Sequence, residues 1–168
     1  MKAIELARGA NKLISFDPNL RPSLWENLRL AKSEIENGLQ YADIIKLTDE
    51  ELEFITGTKN LIKGTNIIMK YGPRVVFVTR GGKSAFINNG MTEIEVPSYE
   101  LKSIDTTGAG DQYAAGFLHG YANKLDLNKC GTLGALLAGT VIENYGARIP
   151  GKLWEKVLEE ADKIAQEE

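Results

Sequence analysis

Short apolar runs alternate with segments of helical periodicity along this 168-residue chain, and this alternation limits the fold more than any other feature. Residues 12–16, 43–47 and 74–79 are mostly apolar and predict buried strands. The first two lead into segments whose apolar residues recur at intervals of three and four, as in 24–39. Strands that alternate with helices predict a mostly parallel sheet with helices on both faces. We expect a single α/β domain over residues 1–168.

Turn and cap signals predict the remaining elements. Thr48–Glu51 opens a helix that stops at Thr56-Gly57. The segments 84–88 and 91–96 flank Asn89-Gly90, which is a two-residue β-hairpin signal. Further helices are expected over 1–11 (ending at Gly9), 60–69, from Asp111 to about Asn123, 127–145 and 151–166.

Composition and charge argue against several classes of function. Lys and Arg total 20 against 23 Asp and Glu, so the net charge is −3 and no broad basic surface for nucleic acid or anionic membrane is expected. The single Cys130 excludes an intrachain disulfide, and with the single His119 it argues against a Cys/His zinc site. No apolar run approaches the roughly 18 residues that span a bilayer. We expect a cytoplasmic protein with neither nucleic-acid nor membrane partners.

Four polar clusters fall where strands are predicted to end. Ligands of open α/β sheets bind outside the carboxyl ends of the strands, so this shared placement is the main evidence for a site. The clusters are Asp17–Arg21, Thr48–Glu51, Thr79–Gly82 and Asp105–Asp111.

The last cluster, DTTGAGD, has the composition of an anion-binding helix start. Gly108 and Gly110 on either side of Ala109 let the backbone approach a ligand closely. Free N–H groups and the helix dipole favour an anion at such a start. Ionised Asp111 is suited to take a proton from an alcohol while a phosphoryl group is held nearby. The alternative is that Asp and Thr only cap the helix, and Gly108–Asp111 taken alone favours that cap.

A longer pattern points to one family. DTTGAGDQYAAGFL resembles the carboxyl-terminal signature of the PfkB, or ribokinase-like, carbohydrate kinases, and Thr79-Arg80-Gly81 resembles their nucleotide loop. ISFDPNLRPSLW (14–25) is similar to the fructokinase and 2-keto-3-deoxygluconate kinase branch. KLTDEELEFITG (46–57) stands in place of the family's Asn-x-x-Glu segment, and GALLAGTVIENYGARIP (134–150) resembles its closing helix and turn. These segments follow the family's order and spacing over nearly the whole chain.

The resemblance implies a three-layer α/β/α ribokinase-like fold and ATP-dependent phosphate transfer to a hydroxyl of a sugar or sugar acid. The cofactors it implies are ATP, Mg²⁺ and, in some members, K⁺. The roles it implies are Asp111 as general base; Gly108, Ala109 and Gly110 as anion hole; Thr79 and Gly81 as nucleotide-phosphate contacts; Asn19 and Arg21 facing phosphates or an acidic sugar; Glu51 holding Mg²⁺ through water; and Asp105 and Thr107 beside a monovalent cation.

The chain departs from the family pattern at Thr48, at its start and at Tyr113, where a commoner Phe is replaced with no expected effect. Thr48 replaces a common Asn, and Thr48–Glu51 is also a capping box, so Glu51 is open to a cap role, a metal role or both. The family's amino-terminal sugar pocket and β-sheet lid are not visible. We therefore expect a carboxyl-terminal half: a fragment, the product of a misplaced start, or one piece of a split protein.

Such a half is expected to form a homo-oligomer or to bind a complementing amino-terminal portion. Two other functions stay open at this point. One is a nucleotide-binding module without transferase activity of its own. The other is a kinase with a nucleoside acceptor, because 128–148 also resembles adenosine-kinase-like members, whereas DPNLRPSLW argues for sugar.

Overall fold

The computed structural model describes residues 2–99 and 102–167. The chain divides into two compact units. The first runs to Arg80 and includes Phe86–Glu93, and the second comprises Gly81–Ala85 and the chain from Ile94 onward. A single domain therefore stays a prediction.

Five strands form one sheet in the order β1-β2-β3-β4-β5. The first three are parallel, with Ser15 opposite Ile44 and Thr48 opposite Thr79. The strands are β1 Ser15–Phe16, β2 Ile44–Thr48, β3 Val75–Thr79, β4 Ser84–Asn88 and β5 Glu93–Pro97.

Seven α-helices complete the described structure. The first unit contains α1 Lys2–Gly9, α2 Leu28–Leu39, α3 Asp49–Thr56 and α4 Leu61–Met69; the second contains α5 Ala109–Ala122, α6 Leu127–Ile142 and α7 Trp154–Gln166. Short 3-10 turns occupy Pro22–Leu24 and Gly151–Leu153. The predicted amino-terminal helix is thus confirmed from Lys2, and Met1 lies outside the described residues.

Three predicted helix bounds differ from the structure by three or more residues, and for two of these helices a hydrogen bond marks the observed end. The helix predicted over 24–39 begins at Leu28, because the Asn27 side chain accepts the Leu30 N–H at 2.8 Å and acts as N-cap. The helix predicted over 127–145 ends at Ile142, whose carbonyl accepts the Ile104 N–H at 2.7 Å. The helix predicted over 151–166 begins with a 3-10 turn.

The first strand is shorter and more exposed than the sequence predicts. Only Ser15 and Phe16 of the segment 12–16 pair as a strand, and Ser15 is exposed. Asp43 Oδ2 accepts the Ile14 N–H at 2.9 Å, so a side chain takes the place of a further strand bond. Within the described sheet, β1 has β2 as its neighbour on one side and nothing on the other, which explains the exposure.

The hairpin between β4 and β5 has a four-residue loop, 89–92, and not the two-residue turn that Asn89-Gly90 predicts. Asn89 Oδ1 accepts the N–H groups of Met91 and Thr92 at 3.0 and 2.7 Å. These bonds close the loop two residues later than a tight turn would.

Each unit has its own apolar core. In the first unit, one face of β2 and β3 packs with α2, α3 and α4 through residues such as Leu39, Ile45, Leu52 and Val78. In the second unit, a Cβ at Gly116 would lie 2.4 Å from the Leu133 carbonyl oxygen, so α5 and α6 approach at a position that admits only glycine.

Lys129, near the start of α6, makes two separate sets of contacts. Its N–H donates to the N-cap Asp126 Oδ1 at 3.0 Å. Its Nζ donates to the Ala165 carbonyl at 3.1 Å and to the Glu167 carbonyl, at the carboxyl end of α7. Among the described helices, none is long and apolar enough to cross a membrane.

Candidate active site

Three of the four predicted polar clusters lie at carboxyl ends of parallel strands in the first unit. Asp17–Arg21 follows β1, Thr48 ends β2, and Thr79 ends β3. Thr48 and Thr79 stand opposite each other in the strand register. The Thr79 hydroxyl donates to the Leu47 carbonyl at 3.4 Å, so it is held against β2. For these three clusters the predicted placement is confirmed.

The Asp17 carboxylate is one of the groups that hold the loop after β1. Asp17 Oδ1 accepts the Asn19 N–H at 2.9 Å, and Asp17 Oδ2 lies 2.9 Å from Lys46 Nζ. Asn19 has a φ of 46°, in the left-handed region that Asn tolerates better than most residues. Asn19 and Arg21 are exposed, so both side chains are accessible to a ligand.

Glu51 has both carboxylate oxygens engaged by backbone. Oε2 accepts the Thr48 N–H at 2.8 Å, and the Thr48 hydroxyl accepts the Glu51 N–H at 3.1 Å, which completes the capping box. Oε1 accepts the Leu20 N–H at 2.7 Å. The cap role is therefore confirmed, and Glu51 also ties the loop after β1 to α3. Because Glu51 is buried, contact with a metal ion through water fits its surroundings better than direct ligation.

Gly81 opens the second unit immediately after β3 and Arg80. Its φ is 58°, and a Cβ there would meet no atom within 4 Å, so glycine is suited to this turn and a ligand can approach that side of its backbone. The neighbouring Gly82 carbonyl accepts the Ser98 hydroxyl, which fixes the turn.

The fourth cluster, Asp105–Asp111, lies at a helix start but not at the end of a strand, so this part of the prediction was wrong. Residues 98–104 separate it from β5, and no strand lies in the described part of that stretch. The N–H groups of Ile104 and Asp105 donate to the Ile142 carbonyl instead, at 2.7 and 3.1 Å. The end of α6, and not a strand, positions this loop.

Gly108 is the N-cap of α5, and no side chain makes a cap hydrogen bond there. This finding contradicts the alternative in which Asp and Thr serve only as caps. The Ala109 N–H donates to the Thr106 carbonyl at 3.1 Å, just before the helix. The other N–H groups of the first helical turn have no acceptor within the helix, and the dipole adds positive potential. Asp111 lies in this turn and is exposed. The arrangement can bind an anion and place a carboxylate beside it.

The glycine with a special backbone conformation is Gly108 and not Gly110. Gly108 has a φ of 79°, and a Cβ there would lie 2.8 Å from Ala147 Cα. Gly110 is inside α5 and is not among the glycines of positive φ. The close approach of Ala147 and the left-handed backbone conformation therefore both occur at Gly108.

Asp105 ties the loop before α5 to the loop after α6. Its Oδ1 accepts the Thr107 N–H and its Oδ2 accepts the Gly146 N–H, both at 2.9 Å. Bonds from the Thr107 side chain, and then from the Gly146 and Thr107 N–H groups, lower the pKa of the Asp105 carboxyl. Asp105 is therefore ionised at neutral pH. Gln112 Nε2 adds a bond to the Ala147 carbonyl at 3.2 Å.

Sequence reasoning missed two contributors to these loops. Lys46 was part of a predicted strand, yet a lysine within an apolar run was a signal for a buried ion pair. Ala147 follows a glycine at positive φ, and only the folded structure brings it against Gly108. His119 is exposed, and Cys130 is fully buried as a small core residue.

Comparison with known proteins identifies relatives of this arrangement. A family model described as "pfkB family carbohydrate kinase" matches residues 1–155. A fructokinase of Salmonella thompson is 38% identical over 119 residues, which are 69% of this chain and 53% of the relative. Fructokinase-2 of Solanum lycopersicum is 38% identical over 120 residues, 70% of this chain and 36% of the relative. The chain spans about half, or less, of the curated relatives it matches.

Solved structures agree in fold. A fructokinase from Vibrio cholerae O395, in a form with fructose, ADP and calcium ion bound, superposes with a TM-score of 0.80 at 28% identity. That match covers 87% of this chain and 49% of the other. An adenosine kinase from Sinorhizobium meliloti gives a TM-score of 0.82 at 25% identity, covering 95% and 48%. The ribokinase-like α/β fold that the sequence predicts is confirmed.

Proposed function

Because the chain belongs to the pfkB family of carbohydrate kinases, we propose that it carries ATP-dependent phosphate transfer to a hydroxyl group of a sugar or sugar acid. One observation supports this most directly: Asp111 is exposed in the first turn of α5, where Gly108 leaves the backbone N–H groups without a side-chain cap. The named fructokinases among the relatives make fructose the first acceptor to test.

Asp111 is the proposed general base. The acceptor hydroxyl oxygen forms a new bond to the γ-phosphorus of ATP while the bond from that phosphorus to the β,γ-bridging oxygen breaks. The hydroxyl proton passes to the Asp111 carboxylate, and ADP leaves with the bond's electron pair. Asp111 is exposed in this structure, so an acceptor can reach it.

The first helical turn of α5 is proposed to stabilise charge on the moving phosphoryl group. The N–H group of Gly110, beside Gly108 and Ala109, is the donor in this proposal, because the Ala109 N–H already donates to the Thr106 carbonyl at 3.1 Å. In the first unit, Thr79, Asn19 and Arg21 are proposed phosphate contacts because they follow strand ends and their side chains are at least partly accessible. Gly81 is proposed to admit the nucleotide at its turn, since a Cβ there would meet no atom within 4 Å.

Metal ions have a limited set of ligands in the described residues. No group of three or more His, Cys, Asp and Glu side chains lies close enough there to hold a metal ion. A Mg²⁺ ion carried by the nucleotide phosphates and water fits this chain, with Glu51 as the acid reached through water. When bound, Mg²⁺ neutralises charge on the phosphates. Ionised Asp105 with Thr107 is the proposed neighbour of a monovalent cation such as K⁺.

The wider setting stays a proposal. We place the protein in the cytoplasm, with a small sugar as substrate. The exposed edge of β1 supports association, either with a second copy or with a complementing amino-terminal portion.

The test is phosphate transfer from ATP across a panel of sugars, sugar acids and nucleosides, with Asp111→Asn beside the unchanged chain. Removing the base is expected to lower turnover by about two to four orders of magnitude. Mg·ATP affinity, measured by titration calorimetry, is expected to change little because the base faces the acceptor.

Asp126→Asn is the matched control. It makes the same chemical change at the start of α6, where Asp126 is an N-cap whose role Asn can fill. Turnover of this variant is expected to equal that of the unchanged chain. Near-normal turnover of Asp111→Asn would remove Asp111 from the mechanism, and Mg·ATP binding without transfer to any acceptor would contradict the proposed activity for this chain.

A further inference from the structure

A lysine is buried in β2, where a charged side chain is unexpected. Lys46 is 5% exposed, between Ile45 and Leu47, which are both fully buried. Successive strand residues point to opposite faces, so Lys46 does not share the face of these two core residues. Withdrawing an ammonium group from water is costly unless a partner compensates it. The partner is Asp17, whose Oδ2 lies 2.9 Å from Lys46 Nζ.

The strand register explains this pairing. Ser15 is opposite Ile44 and Phe16 is opposite Ile45, so the next step along both parallel chains brings Asp17 beside Lys46. Asp17 lies just past the end of β1, and Lys46 is still inside β2. A rigid, hydrogen-bonded strand therefore anchors the first residue of an irregular loop.

Asp17 transmits this anchoring to the residues that follow it. Its second oxygen, Oδ1, accepts the Asn19 N–H at 2.9 Å. The next N–H, that of Leu20, donates to Glu51 Oε1 at 2.7 Å. Two consecutive backbone N–H groups are thus held by two carboxylates, one from the loop itself and one from α3. Between them Asn19 keeps its left-handed φ of 46°.

These bonds determine which groups the loop can offer to a ligand. The N–H groups of Asn19 and Leu20 are already used, so the outward-facing groups are the Asn19 side chain and the Arg21 guanidinium, both on exposed residues. Arg21 Nη1 donates to the Leu20 carbonyl at 3.2 Å, so the loop backbone also orients the guanidinium. An amide and a guanidinium displayed in this way suit a phosphate group.

We infer that Lys46 is a positioning residue, which through Asp17 holds the 17–21 loop in the shape that presents Asn19 and Arg21 to nucleotide phosphates. The inference rests on the proposed function, because it takes those phosphates as the ligand. A buried ion pair is often no more stabilising than apolar residues of the same size. The geometry points to loop shape as the contribution of Lys46.

The first test is amide hydrogen exchange by NMR on the full chain, which needs no activity. Lys46→Met keeps the length of the side chain but removes the charge, leaving Asp17 unanchored. The Asn19 amide is expected to exchange about tenfold faster, as for the loss of one well-held hydrogen bond. Lys46→Arg keeps the charge and is expected to restore most of the protection.

Two further variants separate positioning from stability. The double variant Lys46→Met/Asp17→Asn leaves no unpaired buried charge, so the first unit is expected to stay folded even if Lys46→Met alone unfolds it. Amide exchange at Asn19 is still expected to be fast in the double variant. Val76→Ala makes a core cavity opposite Ile45, without touching the loop. When Val76→Ala and Lys46→Met lose the same global stability, Val76→Ala is expected to leave the hydrogen-exchange protection of the Asn19 amide, relative to other amides of the unit, unchanged.

The second test is calorimetric titration with Mg·ATP. Lys46→Met is expected to bind about tenfold more weakly than the unchanged chain, and Val76→Ala to bind equally well. Unchanged Asn19 exchange in Lys46→Met overturns the inference whatever the nucleotide does. Faster exchange with unchanged Mg·ATP affinity overturns the role of the loop in phosphate binding. If the unchanged chain binds no Mg·ATP, the proposed function fails, and exchange alone still decides whether Lys46 positions the loop.

Discussion

Gly108→Ala is expected to destabilise the second unit by two separable effects. The left-handed φ of 79° costs a residue with a Cβ about 1–2 kcal/mol. The added Cβ would lie 2.6 Å from Ala147 Cβ and 2.8 Å from Ala147 Cα. Such overpacking against backbone costs about 1–3 kcal/mol more. The sum is about 2–5 kcal/mol, which for a chain of this size lowers Tm by roughly 4–20 °C.

Gly146→Ala isolates the first effect. Gly146 has a φ of 86°, and a Cβ there would meet nothing within 4 Å, so only the backbone cost applies. Urea unfolding, followed by fluorescence in a Trp25→Phe background, reports the second unit through Trp154. Gly108→Ala is expected to lower the free energy of unfolding by at least about 1 kcal/mol more than Gly146→Ala does.

A double-mutant cycle with Ala147→Gly checks the contact itself. Removing the Ala147 Cβ relieves the closer of the two clashes, so Gly108→Ala should cost about 1 kcal/mol less in that background. Equal costs for Gly108→Ala and Gly146→Ala would refute the argument, because the loops before α5 and after α6 would then not approach closely at Gly108.

Two further outcomes follow from the ionisable groups of the second unit. The folded-state pKa of Asp105 is lowered, so its stabilising contribution is complete above the pKa of the unfolded chain, about 3.9, and is lost as pH falls through the lower folded value. Asp105→Asn should therefore reduce the free energy of unfolding at pH 7. The difference in this free energy between the variant and the unchanged chain, measured by urea melts at each pH, should become smaller below pH 4. Burial raises the pKa of the Cys130 thiol from 9.0 to about 11. Iodoacetamide at pH 8 should therefore modify the native protein at least about a hundredfold more slowly than the urea-unfolded protein. Rapid modification under native conditions would contradict the burial of Cys130.

Local chemistry made much of the fold predictable. The strands 43–47 and 74–79 were predicted to within one residue because their apolar runs are continuous and end at polar residues. The helix from Thr48 was predicted because its capping box and its terminal Gly57 both act within a few residues along the chain. Such signals survive in the structure because no distant contact competes with them.

The errors have the opposite origin. The hairpin loop is longer than predicted because the Asn89 side chain accepts two backbone N–H groups, an option that the Asn-Gly pair does not reveal. The placement of 105–111 failed because the loop is held by Ile142, 37 residues away, which no local pattern indicates. The sequence also did not show which of the two glycines takes the left-handed conformation, because no local pattern tells which one precedes the helix and which one lies inside it.

For the candidate site, the sequence identified side chains but not what holds them. Asn19, Arg21 and Glu51 were predicted as site residues because their segments resemble those of the pfkB family and follow predicted strands. The buried ion pair beneath them was not, because the role of Lys46 depends on the register of β1 against β2. The register between two strands that are far apart in sequence depends on the whole sheet, so it cannot be predicted from either strand alone.

Lys129 complicates how a mutational scan of this chain would be interpreted. By sequence it is one more lysine in a helix, of the kind whose replacement is usually neutral. Its ammonium group, however, binds carbonyls at the end of α7, more than 35 residues further along the chain. A loss of stability in a Lys129 variant would therefore report on the carboxyl end of α7 and not on the helix that contains the residue. Substitutions at 165 and 167 would not reveal the same contact, because their backbone carbonyls remain whatever the side chain.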